Sequence, residues 1–446
     1  MLWNPIESTK ERIASGDTPP AQLDDGIALK VRLHQRLIEL LNLNLLDRTP
    51  RETLRLEIRG AVGQLLLEEK RFLTSSQTDQ LIEDVLDELL GLGPLEPLLK
   101  DDSIADILIN THNTVYVERR GRLELTDVKF QDTRHLIRII NKIVSAVGRR
   151  VDESQPMVDA RLADGSRVNA IIPPLAVDGP LVSIRKFAKT PIQMAKLVEL
   201  GSITSEMALV LEAIVKARRN VLISGGTGSG KTTLLNALSA YIDNHERIVT
   251  IEDSAELQMQ QTHVGRLETR PANIEDKGEV TQRDLVRNAL RMRPDRIIVG
   301  EVRAGEAFDM LQAMNTGHDG SMTTVHANTA RDALSRVEQM IGMAGLEISP
   351  RSIRQQIAAA INVVIQVERM DDGRRRVISI AEIVGMEEDV ISMQEIFRFK
   401  RRGRSTEGGV VGDYETTGVR PRFMEVVAAR GITLPPNLFT PGRQSR

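Results

Sequence analysis

The stretch Asn220–Leu235, NVLISGGTGSGKTTLL, decides the fold. Val221, Leu222 and Ile223 form an apolar run that predicts a buried strand. The run stops at a glycine-rich turn, and a helical pattern follows from Lys231. Within it, Gly225-x-x-x-x-Gly230-Lys231-Thr232 matches the pattern of a phosphate-binding loop. Glycines let successive backbone N–H groups curl inward around an anion. The N-terminus of the following helix adds about half a positive charge. Lys231 can reach β- and γ-phosphates, and the Thr232 hydroxyl can sit on Mg²⁺. These residues predict a nucleoside triphosphate site.

The totals narrow the class. A chain of 446 residues predicts about two or three domains. A net charge of -3 supplies no general field for nucleic acid or anionic lipid. Without cysteine there is neither a disulfide nor a thiolate metal site. Aromatic residues make up 3% of the chain, which leaves few stacking platforms for single-stranded nucleic acid. The first residues, MLWNPIESTKERIASG, carry no apolar signal core, and no uncharged apolar run is long enough to span a bilayer. A cytoplasmic protein, peripheral to a membrane complex, is the expectation.

Residues 1–24 mix Pro, Gly, Ser and charge and predict a flexible N-terminus. Residues 25–99 read as a small helical bundle interrupted at Thr49-Pro50 and Thr74-Ser75-Ser76. Residues 100–189 read as an α+β domain: a strand at 106–110, a hairpin around Arg119–Arg122, a helix over 133–147, and strands flanking Ala163–Ser166 and over 181–187. Residues 190–203 read as a linker. From 204 to 402, helix and strand alternate, which predicts a parallel sheet covered by helices, with further helices at its C-terminal end. Its strands fall at 220–225, 247–253, 296–302 and 321–327, with a later pair at 363–368 and 376–384. The tail, 403–446, is rich in Gly, Pro and Arg and is expected to be partly disordered.

Three stretches extend the phosphate-loop reading. IVTIED (Ile248–Asp253) is an apolar strand ending in two carboxylates, either of which, Glu252 or Asp253, can hold Mg²⁺ through water or polarise an attacking water. RIIVGE (Arg296–Glu301) delivers Glu301, the expected main catalytic carboxylate, and Gly300 is expected to leave room for water or phosphate. His318 and His326 follow in one segment and suit a sensor of nucleotide state. Arg167, Arg185, Arg266 and Arg270 are candidates to meet γ-phosphate charge.

Together, GGTGSGKTTLLNAL (Gly225–Leu238), TIED (Thr250–Asp253), RMRPDRIIVGEVRAGEA (Arg291–Ala307) and TGHDGSMTTVHANTARDAL (Thr316–Leu334) resemble the Walker A, Asp, Walker B and His boxes of the type II/type IV secretion and pilus-assembly ATPases. Gly300 stands where the commonest Walker B form has an acid. Within that superfamily the wording of the N-terminal module and the helical extension resemble the CpaF-type ATPases of tight-adherence (Flp) pili. The resemblance implies a RecA-like P-loop domain, preceded by a PAS-like α+β domain and the helical bundle. It also implies a homohexamer with nucleotide between the N- and C-terminal domains, binding ATP and Mg²⁺ and working on inner-membrane platform proteins. By motif, Gly225, Gly226, Thr227, Gly228, Ser229, Gly230, Lys231, Thr232 and Thr233 hold phosphates and Mg²⁺. Glu301 acts as base, and Glu252 and Glu301 approach the metal through water. His318 and His326 mark the His box, and Arg167, Arg185, Arg266 and Arg270 match arginines that reach nucleotide. Type IV secretion traffic of protein or DNA, a nucleic-acid-translocating ring and a nucleotide-gated scaffold are the rival readings.

Overall fold

The computed structural model describes residues 50–68, 72–187, 191–272, 277–406 and 408–441. The expected flexible N-terminus and the first part of the helical bundle, up to residue 49, lie outside the described residues. The chain divides into two compact units between Lys186 and Phe187.

The first unit opens with α1 (Arg51–Glu68) and α2 (Ser75–Leu90). Thr74 caps α2 by accepting from the Gln77 N–H, while the Gln77 side chain accepts from the Thr74 N–H. Leu54, Ile58, Val62 and Leu66, spaced by four, pack against Leu81, Ile82, Val85 and Leu86. The short α3 (Glu96–Lys100) leads into β1 (Ile104–Thr111), β2 (Thr114–Arg119), β3 (Arg122–Leu125), α4 (Thr133–Ala146), β4 (Met157–Arg161), β5 (Arg167–Ile171) and β6 (Leu181–Arg185). The six strands form one antiparallel sheet in the order β3-β2-β1-β6-β5-β4. The apolar face of α4 (Leu136, Ile139, Ile140, Ile143) shares a core with alternate sheet residues such as Ile107, Ile109, Val115 and Val117.

The second unit contains α5 (Met194–Glu199), α6 (Ser205–Lys216), β7 (Val221–Gly225), α7 (Lys231–Ser239), β8 (Ile248–Glu252), β9 (Val264–Glu268), α8 (Gln282–Ala289), β10 (Arg296–Val302), α9 (Glu306–Asn315), β11 (Met322–Val325), α10 (Ala330–Met343) and α11 (Pro350–Ala360). Four longer or later elements follow: β12 (Val363–Arg369), β13 (Arg375–Glu387), β14 (Val390–Arg404) and β15 (Val410–Thr416), then α12 (Phe423–Ala429). The nine-stranded sheet runs β15-β14-β13-β12-β7-β11-β10-β8-β9. From β12 to β9 all neighbours are parallel, and β13, β14 and β15 extend the sheet antiparallel. Apart from the edge strand β9, the parallel strands are buried on both faces. Val221 and Ile223 enter one core and Leu222 the other; Val363 and Ile365 oppose Val364 in the same way.

Three expectations change here. The segment read as a linker puts Met194 and Leu197 into the core of the second unit. The tail is not a loose end over its described residues, because β15 pairs with β14, and Phe423, Val427 and Leu438 are buried in that same core. Strands rather than further helices dominate after α11.

Buried polar locks fix the N-terminal edge of this sheet. Asn220, 2% exposed, sits just before β7. Its Oδ1 accepts from the N–H groups of Gly320 (2.8 Å) and Ser321 (3.1 Å), ahead of β11. Its Nδ2 donates to the Ala360 carbonyl (2.7 Å) at the end of α11, and its own N–H donates to Asn362 Oδ1 (2.9 Å). Nearby, the fully buried Arg296 makes a two-pronged pair with Glu246, at 2.6 and 2.9 Å. Asn220→Ala would take a hydrogen-bond partner from two N–H groups and from the carbonyls of Ala360 and Met314 in a dry setting. We expect a loss of about 2–4 kcal/mol, read as a lower urea midpoint with an unchanged slope; an unchanged midpoint would remove Asn220 as the lock.

Candidate functional site

Parallel pairing brings the sequence boxes to one edge. Ser224 of β7 is in register with Val325 of β11, Val325 with Val302 of β10, and Val299 with Ile251 of β8. The residues that follow, the glycine-rich loop, His326, Glu301 and Glu252-Asp253, therefore gather at the C-terminal ends of neighbouring strands.

The glycine-rich loop has the shape of an anion cradle. Gly228 (φ 67°) and Gly230 (φ 99°) occupy left-handed conformations that other residues adopt at a cost. A Cβ on Gly225 would collide with the Val367 carbonyl and the Ser229 hydroxyl. The Ser229 hydroxyl is buried without a hydrogen-bond partner. Lys231 folds over its own loop, and its ammonium donates to the carbonyls of Gly225 (3.0 Å) and Gly226 (3.1 Å). Burial pushes its pKa below the ordinary lysine value, against the pull of the nearby Glu301 carboxylate. Thr232 and Thr233 lie in the first turn of α7, whose N–H groups lack intrahelical partners. A phosphate group fits this cradle.

The carboxylates divide into two kinds. Glu252 is buried, and its Oε2 accepts from the N–H groups of Glu256 (2.7 Å) and Leu257 (2.8 Å), closing the turn after β8. Its Oε1 is buried without a partner. Burial is the largest influence on this group and raises its pKa, opposed by those two backbone bonds. The space beside Gly300, expected to admit water or phosphate, is taken up by the Glu252 side chain; a Cβ on Gly300 would lie 3.0 Å from Glu252 Cγ. Glu301 is more open. Its Oε2 accepts from Arg303 Nε (2.9 Å) and Nη2 (2.6 Å), while Arg303 Nη1 reaches Asp253 Oδ2 (2.9 Å).

The two histidines separate. His326 Nε2 lies 2.8 Å from the Thr227 hydroxyl and so touches the glycine-rich loop. The ring of His318 bonds the Ala313 carbonyl at 3.2 Å, at the end of α9. Arg266 reaches the Ala255 carbonyl (3.5 Å), and Arg270 the Gly278 carbonyl (2.6 Å); both contacts are with loop backbone. In the first unit, Arg167 and Arg185 are register partners on β5 and β6, and Arg185 pairs with Asp106 at 3.1 Å.

The sequence reading missed three arginines. Besides Arg303, the turn between β12 and β13 brings Arg369 and Arg375 to the glycine-rich loop. Arg375 Nε donates to the Gly228 carbonyl (2.8 Å), and an Arg369 nitrogen lies 3.5 Å from where a Gly228 Cβ would be. The run Arg374-Arg375-Arg376 after Asp371-Asp372-Gly373 was visible as a basic hairpin, but its distance from the loop in sequence hid the contact.

Residues 88–406 match the family described as type II/IV secretion system protein. A Mycobacterium tuberculosis protein that carries a conjugal-transfer name is 42% identical over 300 residues, covering 66% of this chain and 85% of its own. Conjugal transfer protein TrbB of Rhizobium radiobacter is 34% identical over 281 residues, covering 62% of this chain and 83% of its own. A crystal structure of the VirB11 ATPase from the Brucella suis type IV secretion system, in complex with sulphate, is 29% identical with a TM-score of 0.35, covering 65% of this chain and 95% of that one.

The raised Glu252 pKa has a sign that can be measured. Folding favours its neutral form, so its contribution to stability is lost as pH rises from the ordinary carboxylate range through the raised folded value. Glu252→Gln keeps an oxygen to accept the two N–H groups and carries no charge. We expect its melting temperature, relative to wild type, to improve as pH rises above the ordinary carboxylate range and then to level off once the folded group has titrated; a pH-independent difference would contradict the assignment.

Proposed function

Because the chain belongs to the type II/IV secretion system protein family, we propose that its second unit hydrolyses ATP to ADP and phosphate with Mg²⁺. One observation carries this reading: an anion cradle with its lysine, two open acidic residues and a loop-contacting histidine share one edge of a parallel sheet. The loop from Gly225 to Thr233 holds the phosphates, with Lys231 turning from the loop carbonyls to the β- and γ-oxygens. Mg²⁺, when bound at Thr232, supplies charge neutralisation on the phosphates. Glu301 orients the attacking water and takes its proton. Glu252 would help hold that metal through water, by the Oε1 that has no partner within the protein. His326 reports the state of the loop through Thr227, and His318 belongs to the same box. Arg266 and Arg270, with Arg167 and Arg185 of the first unit, meet phosphate charge in the assembled ring. The six-stranded first unit is read as PAS-like.

The assembled form is a homohexamer on inner-membrane platform proteins, powering a Flp-type pilus as a CpaF-type motor. A second reading, traffic of protein or DNA at a type IV secretion machine, is favoured by the conjugal-transfer names of two relatives. No helix among the described residues is long and apolar enough to cross a membrane.

ATPase rate against protein concentration, with mass measured alongside, tests the motor. We expect turnover per subunit to rise as a six-subunit species forms, and to vanish in Lys231→Ala. Glu301→Gln should bind ATP and lose at least about a hundredfold in kcat. A variant with full turnover would remove Glu301 from its role. Turnover stimulated by DNA, with a steep salt dependence, would favour a nucleic-acid-translocating ring instead.

A further inference from the structure

The hydrolysis reading gives no task to Arg303. Arg303 lies two residues beyond Glu301, where the end of β10 turns toward α9. Just past the end of that strand, the Arg303 side chain meets Glu301 directly. The backbone at Arg303 is itself fixed: the N–H groups of Arg303 and Ala304 both donate to Glu306 Oε1, at 2.6 and 2.8 Å. From this anchored base all three guanidinium nitrogens are engaged. Nε and Nη2 converge on Glu301 Oε2, and Nη1 reaches across to Asp253 Oδ2 beyond β8. Glu301 Oε1 accepts none of these bonds.

Stability does not account for this arrangement. The Arg303 side chain is 60% exposed, and an exposed ion pair contributes only about 0–1 kcal/mol. Orientation does account for it. The last torsion of a glutamate is broad, so a free carboxylate sweeps a wide arc. A planar fork that holds one oxygen and is itself tied to a second strand removes that freedom. The oxygen left over then points in one direction.

We infer that Arg303 is a positioning residue for hydrolysis, holding Oε2 of Glu301 so that Oε1 faces the reacting water. The inference rests on the ATP-hydrolysis reading above. Arg303 acts through Glu301, with Asp253 as its second anchor. A lysine keeps the charge at this position but presents a single nitrogen, which cannot hold Oε2 and bridge to Asp253 in one plane.

Steady-state kinetics with Mg-ATP on the full chain test this, together with nucleotide binding and melting temperature. Arg303→Ala and Arg303→Lys should each lose roughly ten- to a hundredfold in kcat. ATP affinity should stay within about threefold and melting temperature within about 2 °C. In the Glu301→Gln background, Arg303→Ala should cost nothing further, because both changes remove one function. Wild-type kcat in Arg303→Ala overturns the inference while leaving the hydrolysis reading standing. Restored turnover in Arg303→Lys overturns it too, since charge alone would then suffice. An equal loss from Arg303→Ala in the Glu301→Gln background overturns it by showing an independent action. If wild type binds Mg-ATP and never turns it over, the hydrolysis reading falls and takes this inference with it.

Discussion

The second unit depends on one buried amide. Asn220 uses both ends of its side chain, and its backbone, to join the starts of β7, β11 and β12. A buried amide with every partner present is stable only in one arrangement, since any slip strands a donor or acceptor in a dry setting. Register set at that edge is carried along the strands at about 3.3 Å per residue. It determines which residues emerge together at the other edge: the glycine-rich loop from β7, His326 from β11 and Arg369 from β12. Polar specificity at one edge thus serves the chemistry at the opposite edge.

At that chemical edge, charged side chains find partners within the protein. The Lys231 ammonium rests on carbonyls of its own loop, and the Glu301 and Asp253 carboxylates rest on Arg303. Each pairing satisfies a group that would otherwise face water in a partly buried place. Glu252 differs. It gives one oxygen to the turn after β8 and holds the other in a buried, unpartnered position, which is why its neutral form is favoured. Two acids close in sequence, Glu252 and Asp253, therefore meet different physical environments, one dry and one open.

Much of this was legible in the chain, because the signals were local. The run before Gly225, the strand ends at Glu252 and Glu301, and the hairpin signal at Asp371-Asp372-Gly373 each occupy a few adjacent residues. So does the alternation that gives the six strands of the first unit. What was missed depends on contacts distant in sequence or on weak patterns. β9 reads Val264-Gly-Arg-Leu-Glu, too short and too polar to declare itself, and is a strand because β8 offers it an edge. The tail looked loose because its composition is polar and basic, yet the Phe399 and Tyr414 rings pack at a tilt across β14 and β15 with the Arg376 guanidinium over the Phe399 ring. His318 and His326 looked alike in sequence; only the packing of α9 and β11 separates a helix-end partner from a loop contact. The Arg375 bond to Gly228 joins residues 147 apart, beyond any periodicity.

That bond has a mechanical meaning. β13 is hydrogen-bonded to β14 and β14 to β15, so the antiparallel extension behaves as one ribbon. The ribbon ends, at the β12–β13 turn, in a guanidinium fastened to a carbonyl of the phosphate cradle. Where Gly228 goes, Arg375 pulls the end of the ribbon with it, and a tug on the ribbon reaches the cradle by the same tether. The glycine-rich stretch of backbone at the site is thus stitched to the start of a 13-residue strand.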